Sequence, residues 1–284
     1  MGTLSDRVAL ITGDTASDLA TASDGKFGPA PLDVLDHWDE VRGWAAENTE
    51  VLAEHARPFD EAQLGAPVPL PRQVFAIGLN YRDHAAEADM ATPESDPLVF
   101  TKFPTSVAGP YASVELPSAN VDFEAELVVV IGARAHRVSR ADGWQYVAGL
   151  TVGQDISERV VQFRGPTPQF NLGKSYPGFS PIGPVLVTPD EFADRDDVEL
   201  GCSLAGQRMQ QGHTRNLIFT IPALIESISA IVPLLPGDLI FTGTPAGIGW
   251  ARDPKVLLRP GQELRTYAEG IGEIRTTFTA SDNN

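Results

Sequence analysis

Around residue 122 the chain changes from mixed polar and apolar positions to an unbroken apolar run. The order is Asp122-Phe123-Glu124-Ala125-Glu126, followed by Leu127-Val128-Val129-Val130-Ile131-Gly132. Five consecutive apolar residues closed by glycine read as a strand buried on both faces. Similar short runs with Gly and Pro punctuation predict strands at 74–77, 98–102, 126–131, 185–187, 239–242 and 274–278. Helical spacing is rarer. Leu35, Trp38, Val41 and Trp44 repeat as one helix face, which predicts an amphipathic helix over 31–54. Thr188-Pro189-Asp190-Glu191 is a helix-start pattern, and 221–232 reads as an apolar helix bounded by Pro222 and Pro233. Strands and helices do not alternate, so a doubly wound sheet is not expected. The pattern predicts an α+β fold that is mainly β. A strand at 8–11, the 31–54 helix and a proline-rich connector at 55–71 separate a small N-terminal module, 1–70, from a larger domain, 71–284.

Composition narrows the function. The chain has 284 residues and a formal net charge of −17, which disfavours nucleic acid and anionic membrane surfaces. No apolar run approaches membrane-spanning length. The residues Met1-Gly2-Thr3-Leu4-Ser5-Asp6-Arg7 lack signal-peptide architecture, so a cytoplasmic setting is expected. The single cysteine, Cys202, sits in a strand-like stretch and reads as a buried thiol. GxSxG, GxGxxG, HExxH and CxxC patterns are all missing.

The chemistry concentrates in acidic residues. On a strand Glu124 and Glu126 point to one face and enter the core together. Buried carboxylates are costly to desolvate without a positive partner. A hard divalent cation such as Mg²⁺ or Mn²⁺ prefers oxygen ligands and would serve. Asp155, after a short apolar stretch, supplies a third oxygen donor. His84 and Glu87 are three apart, with Asp83 placed to cap their turn. A carboxylate beside an imidazole orients it as a general base. The polar segment 88–97 that follows reads as a candidate lid. Lys174 sits among glycines and aromatics. Thr244 lies in a Gly243-Thr244-Pro245-Ala246-Gly247 turn whose amides could hold an anion.

Six blocks in order, GLNYRDHAAE (78–87), FTKFPTSVAGP (100–110), VDFEAELVVVIG (121–132), GLTVGQDISER (149–159), GKSYPGFSPIGP (173–184) and PGDLIFTGTPAGIG (236–249), resemble the fumarylacetoacetate hydrolase (FAH) superfamily. The resemblance implies a mixed β-sandwich roll of the family's C-terminal type, Mg²⁺ or Mn²⁺ as cofactor, and a homodimer. It implies Glu124, Glu126 and Asp155 as metal ligands, and His84, Glu87 and Lys174 as catalytic residues. Asn80, Tyr81, Gln162 and Thr244 are expected to contact substrate. One departure is Val160, where many relatives carry Asp, and it leaves the role of Arg159 open. The implied activity is hydrolysis of a carbon–carbon bond in a 1,3-diketo or acylpyruvate-type acid through a metal-stabilised enolate. Decarboxylation of an oxaloacetate-type 2-oxo acid, or isomerisation of a 2-hydroxy-diene-dioate, is the alternative at the same site. The expected partner is a small anionic diketo or 2-oxo acid.

Overall fold

In the computed structural model, residues 1–87, 93 and 95–281 are described. Most of the candidate lid, 88–92 and 94, lies outside them.

The apolar run forms the strand Ala125–Ile131 at the centre of a seven-stranded sheet. It pairs antiparallel with Val147–Gln154 on one side and Leu239–Phe241 on the other. Val74–Gly78 runs parallel to Leu239–Phe241, and Leu98–Thr101 is the edge strand beside it. Both faces of the central strand are covered, which is why its apolar residues do not alternate with polar ones. Leu127, Val129 and Ile131 point into one core with Leu200, Ile274 and the helix Ile221–Ser229. A second sheet, ordered Gln207–His213, Glu199–Leu204, Glu263–Ala268, Gly272–Ala280 and Ser113–Leu116, supplies the facing layer. The result is the α+β, mainly β class that the pattern predicts.

Val128 and Val130 point the other way, into a core shared with Val8, Leu19, Val34, Leu35 and Trp38. The leading segment therefore packs directly on the central sheet, and this core crosses residue 70. Trp38 reinforces the contact: its indole Nε1 donates to the carbonyl of Ala148 at 3.1 Å.

Two helix expectations are modified. The region 31–54 is three helices, Pro31–Asp36, Trp38–Glu47 and Thr49–His55. His37 and Asn48 interrupt it, with φ,ψ of −119°, 28° and −122°, 36°. The bends let Leu35 and Trp38 bury on the central sheet. The last piece turns back to a separate five-stranded N-terminal sheet, where Ser17 Oγ of the strand Thr15–Asp18 donates to the Leu52 carbonyl at 2.8 Å. The Thr188 start signal makes a capping box with Glu191, but only one 3₁₀ turn follows because Phe192 is extended.

Asp238 closes the turn before Leu239–Phe241. Its Oδ2 accepts from Gln73 Nε2 at 2.6 Å and from the Leu235 amide at 2.7 Å, while Oδ1 has no partner. Burial pushes its carboxyl up to about 6 from 3.8. The folded state thus holds this proton more tightly than the unfolded chain. Its contribution to stability is full below about pH 4 and is lost as pH rises through about 6. Denaturant titrations of wild type and Asp238→Asn across that window check this, and the substitution should flatten the decline.

Candidate functional site

The central strand delivers the acidic pair. Glu124 and Glu126 flank Ala125 at its start, and Asp155 follows the end of the paired strand Val147–Gln154. All three are buried, and one oxygen from each lies within 4.8 Å of the others. Cations serve two of these carboxylates, Glu124 and Asp155. Lys174 Nζ donates to Glu124 Oε2 at 2.8 Å, Asp155 Oδ2 at 2.6 Å and Ser157 Oγ at 2.8 Å. Arg159 Nη2 lies 2.7 Å from Glu124 Oε1. Burial alone would raise the Glu124 carboxyl, but Lys174 and Arg159 hold it below the usual carboxylate range. Burial is the largest influence on Lys174 too, yet Asp155 and Glu124 hold its ammonium above the usual value.

Glu126 differs. It accepts the Gly243 amide at 2.7 Å and makes no ion pair with a described side chain. Burial, then repulsion from Asp155 and Glu124, pushes its carboxyl well above the usual range. This position calls for added positive charge. The all-oxygen donor set and the unpaired Glu126 fit a hard divalent ion, so the trio can hold a metal.

Reasoning from sequence missed the layer behind these ligands. Lys102 is fully buried, donates to Asp155 Oδ1 at 2.5 Å, and also bonds the Lys174 carbonyl. Asp122 receives Arg159 Nε at 2.9 Å and Nη2 at 2.5 Å, together with the Gly249 and Trp250 amides at 2.8 and 3.0 Å. Arg159 is therefore anchored by Asp122 from across the fold, and its neighbour Val160 is exposed. Asp122, Glu124, Glu126 and Asp155 bring four negative charges against three positive ones from Lys102, Arg159 and Lys174. A bound dication would leave the cluster positive, which suits an anionic ligand.

The His–Glu pair comes from the helix Arg82–Glu87. His84 Nδ1 is 2.9 Å from Glu87 Oε1, and Asp83 Oδ1 caps the turn by accepting the His84 amide at 2.9 Å. Glu87 is held by the Gly247 amide, at 3.0 Å to Oε1 and 2.9 Å to Oε2. One turn thus secures both parts of the site: the Gly243 amide holds Glu126, and the Gly247 amide holds Glu87. The anions that these amides bind are the chain's own carboxylates. Thr244 Oγ1 donates to the Ala125 carbonyl at 2.9 Å and receives Gln210 Nε2 at 2.7 Å, an anchoring role that the sequence did not suggest for Gln210.

Gly247 has φ +109°, and a Cβ there would lie 2.3 Å from the Met209 carbonyl oxygen. Gly247→Ala must displace the turn and loosen Glu87. Turnover should fall on the order of 10²-fold, more than Mn²⁺ affinity falls, as checked by steady-state kinetics beside a Mn²⁺ titration.

A cavity of about 70 Å³ is lined by His84, Glu124, Glu126, Arg159, Gln162, Lys174 and Thr244 among others. Six of the ten sequence-predicted residues (His84, Glu124, Glu126, Gln162, Lys174 and Thr244) line this space, and Asp155 and Glu87 touch that lining through Lys174 and His84. Asn80 and Tyr81 are not in its lining. Asn80 spends its side chain on backbone groups: Nδ2 donates to Phe219 and Thr242 carbonyls, and Oδ1 accepts the Phe219 amide. Tyr81 is fully buried in the core, and its hydroxyl has no partner. Cys202 is buried, which pushes its thiol up to about 12 and makes it a poor nucleophile.

The family model for the fumarylacetoacetate (FAA) hydrolase C-terminal domain matches residues 73–279. The chain belongs to the fumarylacetoacetate hydrolase family. A solved structure from Mycobacterium smegmatis is similar over 99% of both chains, with 48% identity and a TM-score of 0.92. The human mitochondrial oxaloacetate tautomerase FAHD2A is 41% identical over 219 residues, 76% of this chain and 69% of the relative. The maleylpyruvate hydrolase of Sphingobium sp. SYK-6, solved with manganese(II) and pyruvate, is 26% identical with a TM-score of 0.81 over 99% of both chains. Family members thus include both hydrolases and tautomerases. Among the described residues no helix is long and apolar enough to cross a membrane.

Proposed function

We propose that this protein is a Mg²⁺- or Mn²⁺-dependent hydrolase that cleaves a carbon–carbon bond in an acylpyruvate-type 1,3-diketo acid. The observation that carries the reading is the His84–Glu87 pair beside the acidic trio. Glu87 occupies Nδ1 and is itself clamped by Gly247, so Nε2 is the ring nitrogen left to take a proton. Glu124, Glu126 and Asp155 are the proposed ligands, and a divalent ion bound there would act as a Lewis acid toward the substrate's oxo groups.

In this reading His84 removes a proton from water, and the water oxygen attacks the carbonyl remote from the carboxylate. The bond between the acyl carbon and the pyruvyl methylene carbon breaks. Its electron pair passes to that methylene carbon, which takes up a proton to give pyruvate beside the released acid. Protonated His84 can supply that proton. In this reading Lys174 stabilises developing negative charge, and Gln162, whose Oε1 accepts from Arg159 at 3.0 Å, offers substrate its amide N–H groups, which have no partner among the described residues. Asn80 and Tyr81 support this site from behind, and Thr244 fixes its floor.

A second reading is favoured by the tautomerase relatives. Moving a proton between carbon and oxygen of an oxaloacetate-type acid needs the same base and the same trio. Decarboxylation or diene-dioate isomerisation uses these groups too. Incubation with acetylpyruvate, oxaloacetate and a 2-hydroxy-diene-dioate, followed by product analysis, separates them. Equimolar acetate and pyruvate from acetylpyruvate support hydrolysis. Enol–keto exchange of oxaloacetate without any bond cleavage would replace it with the tautomerase reading. A homodimer in a cytoplasmic setting belongs to the same proposal.

A further inference from the structure

Six of the residues lining the cavity are apolar: Ile77, Leu79, Leu98, Phe100, Phe163 and Phe170, with the Lys174 ammonium 5.1 Å from the Phe100 ring centroid. Phe170 sits between two rings at edge-on angles: its centroid is 5.5 Å from Phe100 and 5.6 Å from Phe163. Phe163 is 44% exposed and Leu98 37%. Large apolar side chains left open beside a polar pocket mark a binding surface.

Charge determines what this wall accepts. Arg159 and Lys174, the cations lining the cavity, both spend donors on the chain's own carboxylates at its polar end. Among the described residues of 83–101 there is no Lys or Arg. Lys102, next in line, is buried against Asp155. A second carboxylate at the far end of a substrate would meet aromatic rings, while Arg159 and Lys174 are already engaged by the chain's own carboxylates, so its desolvation would go largely uncompensated. Arg164 follows Phe163 but is outside the lining.

We propose that the substrate's acyl arm is aromatic and uncharged, seated against Phe163 and Phe170, and that Phe163 determines this specificity. The inference rests on the acylpyruvate reading above and narrows it. A planar arm can complete the edge-to-face arrangement already begun by the phenylalanines.

The test compares benzoylpyruvate, acetylpyruvate and oxaloacetate. Binding is measured by calorimetry to Mg²⁺-loaded His84→Ala protein, and kcat/KM is measured on the wild type. Benzoylpyruvate should bind and turn over roughly tenfold better than acetylpyruvate, with oxaloacetate weakest. Phe163→Ala should erase that advantage by weakening benzoylpyruvate roughly tenfold more than acetylpyruvate, Phe163→Leu should retain part of it, and Arg164→Ala should change nothing. Equal binding of the two acylpyruvates, insensitivity to Phe163→Ala, or preferred oxaloacetate binding that depends on Arg164 would each overturn the proposal. Tight, Phe163-dependent binding of benzoylpyruvate without cleavage would instead defeat the hydrolytic reading alone. Cleavage of both acylpyruvates with no Phe163 dependence would defeat the aromatic-arm proposal alone.

Discussion

Glu126→Ala should abolish divalent-metal binding and turnover together. Substitutions of groups that merely orient a metal ligand cost about 10–100-fold in affinity, so losing one of three protein ligands should exceed the upper end of that range. The same substitution separates a site defect from a folding defect, because Glu126 lacks an ion-pair partner in the metal-free chain and its carboxyl is pushed up by burial and by its acidic neighbours. Removing it relieves that cost, so metal-free Glu126→Ala should be at least as resistant to heat as metal-free wild type. Saturating Mg²⁺ or Mn²⁺ should raise the wild-type melting temperature and leave the variant where it is. Calorimetric metal titration with thermal unfolding measures both arms. Retained metal-dependent stabilisation in the variant would remove Glu126 from the ligand set.

His84→Ala should do the opposite to binding. The imidazole contacts Glu87, and Glu87 in turn contacts Gly247, with no hydrogen bond to the acidic trio. Metal affinity therefore stays near the wild-type value. Hydrolysis loses the general base, a contribution of about 10²–10⁴ in rate. Glu87→Gln keeps the shape but weakens the orientation of the ring, so its loss should be smaller. The check is a Mn²⁺ titration alongside the release of pyruvate from an acylpyruvate. Unchanged turnover in His84→Ala would assign water activation elsewhere.

The parts of the site that could be read in the sequence were those carried by local periodicity. Glu124 and Glu126 announce themselves because two charges at strand spacing lead into an apolar run. His84 and Glu87 do so because three residues is one turn of helix. Asp155 is less legible, since the strand before it contains Gly149, Thr151 and Gly153 and reads only as a short apolar stretch. Lys102 and Asp122 were passed over for a different reason. A lysine at the end of a predicted strand reads as solvated, and its burial depends on Asp155, 53 positions away. The anchor of Arg159 is likewise not the residue beside it but Asp122, 37 positions earlier. The amides of Gly243 and Gly247 leave no trace in side-chain chemistry, so a turn that organises both halves of the site reads only as a turn. The split of 31–54 into three helices has the same origin: the apolar spacing is helical throughout, but packing against two sheets requires bends that the spacing does not encode.

These observations reduce to one claim, that three carboxylates from two paired strands grip a single divalent ion beside a His–Glu base. Diffraction from crystals grown with Mn²⁺, collected at an energy where manganese scatters anomalously, tests it most directly. One anomalous peak bound by oxygens of Glu124, Glu126 and Asp155, facing His84, is the expected result. Manganese bound elsewhere, or Glu124 and Asp155 still held by Lys174 with no peak at saturating Mn²⁺, would contradict the account.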